Sequence, residues 1–326
     1  GACFMIEELK GARILVEVCG AVKSGENVVI VTDTNKTQIA EYLAGTCYAL
    51  NANPVIIIMT PRTAHGENPP DSVRNALLSA DVVFAVTSYS LFHSEARLAA
   101  SKSGVRWVNL PDYTNKMLRS GGLFVDFKKQ RDIAEKIAAI LTDGKEVHVS
   151  SAKGTDLIFS IQGRKGIAEG GISDLPGMIN SPPDIETCIA PVKGSAQGTI
   201  VIDGSIVLPH IGPVLHDVIL HVKNGIINEI EQTSEEAIKL HEYLSSYNNP
   251  NVYNIAEFGI GLNPACTLSG SMLEDEGVYG TLHFGIGDNH TMGGETIAPT
   301  HIDLVLKEGT FYVDKQVIME KGDLVC

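Results

Sequence analysis

The chain has 326 residues, of which 44 % are hydrophobic, and this is enough apolar material for two domain cores of ordinary size. Asp and Glu number 39 against 25 Lys and Arg, which gives a net charge of −14. An acidic surface excludes the phosphate backbone of a nucleic acid or an anionic membrane as the main partner, because both would be repelled. A small molecule or a peptide is therefore the expected substrate.

The apolar segments predict no membrane span. The longest runs, such as residues 54–59, have the length of a strand, whereas about 20 residues are needed to cross a bilayer. The six cysteines are widely spaced and form no C-x-x-C pair, so they are interpreted as reduced thiols. The N-terminal residues also lack the basic and apolar regions of a secretory signal. Together these features predict a cytoplasmic protein.

The first part of the chain alternates between helical and strand-like patterns. The predicted helices cover residues 6–22, 37–50, 71–79 and 93–103, and the predicted strands cover residues 27–32, 54–60, 81–87 and 105–110. Uninterrupted β-branched strands are typical of a parallel sheet with helices on both faces. Residues 1–145 are therefore predicted to be a doubly wound α/β domain of the flavodoxin or Rossmann type. Neither G-x-G-x-x-G nor a P-loop is present, which excludes a dinucleotide enzyme.

After a helix near residues 129–141 the pattern changes to short strands with many glycines. Eight strand candidates follow, among them residues 146–150, 218–223 and 310–313, with one clear helix at residues 234–245. Residues 146–326 are therefore predicted to be a mainly-β domain of the α+β class.

The sharpest local feature is an H-x-D pair, His301 and Asp303, on an apolar segment that is typical of a strand. Because side chains alternate along a strand, both would lie on one face. An imidazole and a carboxylate held in this way can bind Zn²⁺, Mn²⁺ or Fe²⁺. For an isolated pair, a hydrogen-bonded core histidine beside a surface acid is the alternative interpretation.

Three further residues strengthen the metal hypothesis. His283 lies in an apolar strand pattern before a glycine-rich turn, and Glu257 is a lone carboxylate in an apolar stretch, where burial without a cation or a proton is costly. Glu186 lies between prolines in what is predicted to be a fixed loop. Carboxylates and imidazoles together are the donor set expected for one or two catalytic divalent metals.

These segments resemble the metallo-aminopeptidase family of the aminopeptidase T and aminopeptidase S type. The resemblance covers most of the chain and implies a two-domain homodimer with a dinuclear metal site. It assigns Glu257 as the bridging ligand and Glu186, His283, His301 and Asp303 as the other ligands. His290 stands where that family has a tyrosine near the metals, so it is predicted to be either a further ligand or a proton donor.

The chain is also similar to the 2,5-dihydroxypyridine ring-cleaving dioxygenases, which bind one non-heme Fe²⁺. In them the iron ligands match His301 and Asp303, together with a histidine at the place of Glu257. They lack a carboxylate at the place of Glu186. The segment around His93 resembles their active-site histidine loop, which implies an acid or base role for His93; a surface histidine at a helix start is the alternative.

Because both glutamates are retained, the main prediction is an aminopeptidase-type hydrolase with two Zn²⁺, Co²⁺ or Mn²⁺ ions. A metal-activated water would cleave a small peptide or amide, with His290 or His93 as the proton donor. The rival prediction is a mononuclear Fe²⁺ dioxygenase in which His283 or His290 joins His301 and a carboxylate. A non-catalytic scaffold with a degenerate site is the third hypothesis.

Overall fold

The structure is a computed structural model that describes residues 5–271 and 273–326. The α-helices are α1 (Met5–Arg13), α2 (Thr37–Ala49), α3 (Asp71–Leu77), α4 (Glu95–Lys102), α5 (Asn115–Arg119), α6 (Phe127–Asp143) and α7 (Glu235–Ser246). A π-helix (Ile14–Cys19) continues α1, and short 3₁₀ helices cover Pro250–Tyr253 and His290–Met292. None of the helices in these ranges has both the length and the apolar character needed to cross a membrane.

Strands are more numerous than helices and shorter than most of them. They are β1 (Asn27–Asp33), β2 (Asn53–Met59), β3 (Val82–Val86), β4 (Arg106–Asn109), β5 (Glu146–Ser150), β6 (Asp156–Ser160), β7 (Ile167–Glu169), β8 (Ile179–Asn180), β9 (Glu186–Ile189), β10 (Gln197–Ile202), β11 (Ser205–Ile206), β12 (Gly212–Pro213), β13 (Val218–Lys223), β14 (Ile226–Ile230), β15 (Ile255–Gly261), β16 (Thr281–Gly287), β17 (His301–Lys307), β18 (Thr310–Val313), β19 (Gln316–Glu320) and β20 (Asp323–Leu324).

The chain forms two compact units, each composed of two segments. The first unit contains residues 1–129 and 170–183, and the second contains residues 130–169 and 184–326. These bounds differ from the single boundary predicted near residue 145. The chain leaves the second unit after β7, and β8 then pairs with β4 in the first unit's sheet before the chain goes back. Such a short strand between glycine-rich loops gives no usable sequence pattern.

The first unit contains a five-stranded parallel sheet in the order β2-β1-β3-β4-β8. The strands β3 and β4 are buried along their whole length, and the sequence of β3 is a continuous apolar run, as expected for a strand covered on both faces. Val83, Ala85 and Trp107 form a core with side chains of α3 and α4, among them Val73 and Ala100. The predicted α/β fold class with a doubly wound parallel sheet is confirmed.

The second unit contains two antiparallel sheets. One has eight strands in the order β14-β13-β10-β6-β5-β18-β19-β20, and the other has seven in the order β12-β11-β17-β16-β15-β9-β7. Phe258 on β15 and Phe284 on β16 pack edge-on against Phe159 on β6, with ring centroids 5.4 and 6.3 Å apart, and tilted against each other at 5.6 Å. Phe311 on β18 joins this cluster. The predicted mainly-β second domain is thus observed, with α6 and α7 as its helices.

Candidate metal centre

One face of the seven-stranded sheet carries the polar residues singled out in the sequence. Phe258 and Phe284 face the aromatic core, and side chains alternate along a strand. Glu257 and His283, each one residue earlier, therefore face the opposite side. Glu186, which was predicted to lie in a loop, is instead the first residue of β9. That prediction was wrong because the flanking prolines concealed a strand of only four residues.

The register between strands determines which side chains meet. Glu257 on β15 pairs with Gly285 on β16, and Gly285 pairs with Asp303 on β17. A side chain at position 285 would occupy the space between the two carboxylates: a Cβ there would lie 2.7 Å from Glu257 Cβ and 2.7 Å from the ring of His301. The glycine therefore allows the polar side chains of the outer strands to approach each other over the middle strand.

The same arrangement recurs one step along the sheet. His283 pairs with Gly259, and Glu186 pairs with Gly261. A Cβ on Gly259 would lie only 1.9 Å from His283 Nε2, so the imidazole lies directly over the glycine backbone. Gly259 thus makes room for His283, as Gly285 does for Glu257 and His301.

Two adjacent groups of donors share Glu257. In the first, His301 Nε2 lies 3.1 Å from Glu257 Oε2 and 3.2 Å from Asp303 Oδ1. The Nδ1 atom of His301 is 2.7 Å from the carbonyl oxygen of Asp288. A carbonyl can only accept, so Nδ1 carries the proton and Nε2 is directed at two carboxylates. A second-sphere hydrogen bond that fixes the tautomer in this way is typical of metal-binding histidines.

In the second group, His283 Nε2 lies 3.1 Å from Glu186 Oε2 and 3.7 Å from Glu257 Oε1. The His283 side chain is fully buried, and neither ring nitrogen has a hydrogen bond of acceptable geometry. Glu186 Oε2 also has none. Buried polar atoms without partners are costly, and a cation between them would satisfy all three.

In both groups the charges of neighbouring side chains decide the direction in which each pKa shifts. Burial disfavours charge on His283, yet the Glu186 and Glu257 carboxylates outweigh it and raise the pKa of His283 well above its ordinary value. Burial also opposes charge on His301, but Asp303 and Glu257 raise its pKa in the same way. For Glu257, contacts with His283 and His301 outweigh the effect of burial and lower its pKa. Without a metal ion, protonated imidazoles would balance the charge of the carboxylates.

A third group contains Glu169, Asp184 and Glu186. Desolvation, followed by the charges of Glu186 and Glu257, raises the pKa of Glu169 from 4.5 to about 8. Desolvation and the neighbouring Glu186 and Glu169 raise the pKa of Asp184 well above its usual range. These two acids therefore take up protons rather than add further negative charge.

The donor set fits a divalent metal ion. Hard carboxylate oxygens combined with imidazole nitrogens suit Fe²⁺, Mn²⁺ or Zn²⁺. In each of the first two groups the ligand atoms lie within 4.8 Å of one another. The structure thus brings together all five predicted ligands: Glu186, Glu257, His283, His301 and Asp303. Their assignment as ligands stays a prediction.

For the two histidines predicted as acid or base, that role stays a prediction. His290 begins the 3₁₀ helix after β16, with its side chain 52 % exposed and Nδ1 2.7 Å from Asp288 Oδ1. His93 lies in the first unit, two residues before α4, with its ring 4.9 Å from that of Phe92. Within the described ranges, no group with metal-ligand spacing includes either residue.

Several residues of the site have no recognisable sequence motif. The thiol of Cys188 lies beside Glu257, and burial followed by the charges of Glu257 and Glu186 raises its pKa well above the ordinary value, so it stays a neutral thiol. Glu169, Asp184 and Asp288 were also missed. The sequence signal that pointed to this face of the sheet was G-x-G, which occurs at residues 259–261 and 285–287. Its two glycines are spaced by the period of a strand and therefore lie on one face.

The fold and this cluster define a two-unit α/β protein with the donor set of a metal-dependent enzyme. The comparison with known families then identifies the group: the family described as NicX, 2,5-dihydroxypyridine 5,6-dioxygenase, matches residues 12–326, and the chain belongs to it. A curated 2,5-dihydroxypyridine 5,6-dioxygenase of Pseudomonas putida is 29 % identical over 268 residues, which cover 78 % of this chain and 74 % of that protein.

Two solved structures have a similar fold. The 2,5-dihydroxypyridine dioxygenase of Pseudomonas putida KT2440 aligns over 98 % of this chain and 97 % of its own, with a TM-score of 0.83 and 22 % identity. Wild-type AmpT of Thermus thermophilus aligns over 99 % and 100 %, with a TM-score of 0.70 and 14 % identity. The fold is therefore common to both groups that the sequence resembles.

The prediction of an aminopeptidase-type hydrolase is wrong, because the family match and the curated relative are both dioxygenases. The prediction relied on the carboxylates Glu186 and Glu257. Their presence was taken to indicate two metals and a hydrolytic water, but the same donor types also suit a single iron. The rival prediction of a dioxygenase agrees with the family.

Proposed function

We propose that this chain is a ring-cleaving dioxygenase that uses one Fe²⁺ ion and acts on a small dihydroxylated aromatic ring of the 2,5-dihydroxypyridine type. The family match over residues 12–326 carries this proposal. The curated relative's substrate and reaction, as its name gives them, supply the first compound to test. The predicted cytoplasmic location and homodimer are compatible with this function and stay predictions.

The residues that would hold the iron are Glu257, His301 and Asp303. His283 lies beside the other oxygen of Glu257, with Nε2 3.7 Å from Oε1. Two imidazoles and one or two carboxylates resemble the set that binds non-heme iron and leaves positions open for substrate and O₂. When bound, Fe²⁺ supplies the electron transfer that allows O₂ to react with an aromatic ring. Glu186 Oε2, 3.1 Å from His283 Nε2, would be a further carboxylate oxygen facing the cation.

The protein's own contribution to the chemistry is orientation and proton transfer. The hydrogen bond to Asp288 fixes the ring of His301, and the buried carboxylates of Glu257 and Asp303 set the local charge. A dihydroxylated ring must lose a hydroxyl proton before it becomes electron-rich enough to react, so a base near the open side of the site is needed. We propose His290, the acid or base predicted from the sequence, for that role; its side chain is half exposed, and its Nδ1 contacts Asp288.

Oxygen uptake tests the proposal. The protein is purified, loaded anaerobically with Fe²⁺, and mixed with 2,5-dihydroxypyridine and O₂. We expect one O₂ consumed per ring lost. His301→Ala should lose both iron and turnover, whereas His148→Ala should keep both, because His148 lies on β5 in the other sheet of the second unit and pairs with Asp156. If iron-loaded wild type consumed no O₂ with any dihydroxylated ring, the proposal would be wrong.

A further inference from the structure

The strand β2 forms an edge of the first unit's parallel sheet that lacks the usual protection. Within residues 5–271 and 273–326, β2 pairs with no strand other than β1. An edge strand carries a row of backbone N–H and C=O groups without partners, so proteins usually keep it short or place charged side chains on it. The strand at the other edge, β8, has two residues. β2 has seven residues, and all of them are uncharged.

The edges of the two sheets in the second unit are protected in the expected ways. The edge strands β12 and β20 have two residues each, and β7 has three. The edge strand β14 has five residues and carries Glu229. In the part of the chain that the structure describes, β2 is therefore both the longest edge strand and an uncharged one.

The absence of charge extends beyond the strand. Residues 42–61 contain no Asp, Glu, Lys or Arg, and this is the longest such run in a chain of which 20 % is charged. Several apolar side chains of this run are exposed: Tyr48 by 76 %, Val55 by 55 % and Ile58 by 56 %. Two copies that each carry a net charge of −14 repel each other, and the repulsion is weakest where neither surface is charged. The β2 edge is therefore the place at which a second copy can approach.

The backbone of β2 determines how a second copy would pair. Asn53 N donates to Glu26 O at 2.8 Å, so the backbone groups of Asn53 face β1. The direction of these groups alternates along a strand, and the N–H and C=O groups of Ile56 and Ile58 therefore face the free edge. Pro54 also faces this edge, but it has no N–H to donate and lies near the end of the strand.

We propose that β2 pairs with β2 of a second copy of this chain about a two-fold axis at Ile57. Identical edges related by a two-fold axis are antiparallel. Ile56 then lies opposite the partner's Ile58, and the free N–H and C=O groups of both residues bond reciprocally. Val55 lies opposite the partner's Met59, so the side-chain pairs across the seam are apolar. The pairing uses up the free edge on both copies, and this interface therefore closes instead of growing into a fibre.

Ile58→Lys and Val55→Lys test the pairing from opposite faces of the strand. Both side chains are more than half exposed, so neither lysine buries a charge in the single copy. In the pair, each substitution occurs twice and places an ammonium group beside apolar side chains. Leu98→Lys is the matched control, because Leu98 is 48 % exposed on α4, and α4 packs on β4, two strands away from β2 in the sheet. Circular dichroism and thermal unfolding establish that each variant is folded.

Analytical ultracentrifugation measures the assembly. We expect wild type to contain an even number of copies of the 34.9 kDa chain. Ile58→Lys and Val55→Lys should contain half that number, with the dissociation constant of the β2 interface raised at least about 100-fold. Leu98→Lys should sediment as wild type does. The test needs neither metal nor substrate, so its result is independent of the proposed function.

Hydrogen exchange at single-residue resolution measures the register. In the wild-type assembly, the amides of Ile56 and Ile58 should exchange slowly, and in Ile58→Lys the Ile56 amide should exchange fast. The amides of Val55 and Ile57, which face β1, should stay protected in both proteins.

Four results would overturn the proposal. The first is a wild type that sediments as a single copy at concentrations up to about 100 µM. The second is an assembly that survives both β2 substitutions, and the third is an assembly in which the Ile56 amide exchanges fast. The fourth is slow exchange of Ile56 and Ile58 in a chain that sediments alone, because another part of the same chain would then cover the edge. If one variant fails to fold, the other variant and the exchange of wild type still decide the question.

Discussion

Substitution of Gly285 by alanine tests whether the glycine opposite Glu257 and Asp303 makes the metal centre possible. The added Cβ would lie 2.7 Å from His301 Nε2, whereas ordinary contacts begin at 3.4 Å, so the ring must move by about 0.7 Å. Metal ligands tolerate about 0.2 Å. The ring cannot move freely, because its Nδ1 is held by Asp288 O at 2.7 Å.

We expect Gly285→Ala to weaken Fe²⁺ binding by about 10- to 100-fold, the range found when the support of a metal ligand is lost. The stability of the metal-free protein should fall by about 1–3 kcal/mol, as in other overpacked cores. Anaerobic Fe²⁺ titration and denaturant unfolding measure the two effects. Gly45→Ala is the control: Gly45 lies in α2 with no atom within 4 Å of the added Cβ. If Gly285→Ala bound Fe²⁺ within twofold of wild type, the packing argument would be refuted.

Three further predictions concern the same unit. Asn289→Ala removes the hydrogen bonds that a buried side chain makes with Ala256 O and Thr296 N. Chemical denaturation should therefore show that the free energy of unfolding falls by about 2–4 kcal/mol. A decrease below about 0.5 kcal/mol would contradict this prediction. Glu169, whose pKa is raised to about 8, keeps a proton in the folded state that it loses in the unfolded state between about pH 4.5 and 8. The metal-free protein should therefore become less stable as pH rises over this range. A stability that increased over the same range would contradict the raised pKa of Glu169. The raised pKa values of His283 and His301 mean that a metal must displace protons, so calorimetry in two buffers at pH 7 should show proton release, and affinity should rise with pH. Binding without release would contradict the expectation that a metal displaces protons from these imidazoles.

Local sequence patterns were sufficient for most elements of the fold. Residues 146–150, 218–223 and 310–313 were predicted as strands and are β5, β13 and β18 with those bounds. The H-x-D prediction rested on the alternation of a strand, and the structure places His301 and Asp303 on one face with Nε2 and Oδ1 3.2 Å apart. Alternation is a local property of the backbone, and it can therefore be read from a few residues.

What the sequence did not provide was register. That Glu257 meets Asp303 over Gly285 depends on the pairing of three strands that are separated by loops of different lengths. Glu169 meets Glu186 because β7 pairs with β9, which follows it only after the excursion through the first unit. Contacts of this kind are tertiary, and no periodicity along one segment encodes them.

The residue pattern also did not determine which reaction the site catalyses. Carboxylates and imidazoles in this arrangement suit both hydrolytic and oxidative metals, and the donor atoms alone do not distinguish between them. The family match distinguished them, and it reversed the main prediction. The fold could not have done so, since both solved structures align over nearly the whole chain.

The most direct test of the account is to turn over 2,5-dihydroxypyridine with ¹⁸O₂ on the iron-loaded protein and to measure the product by mass spectrometry. A dioxygenase that opens the ring places both oxygen atoms in one product molecule, so we predict a product that carries two ¹⁸O atoms, absent in His301→Ala. A product with one ¹⁸O atom, or with oxygen derived only from water, would contradict the account.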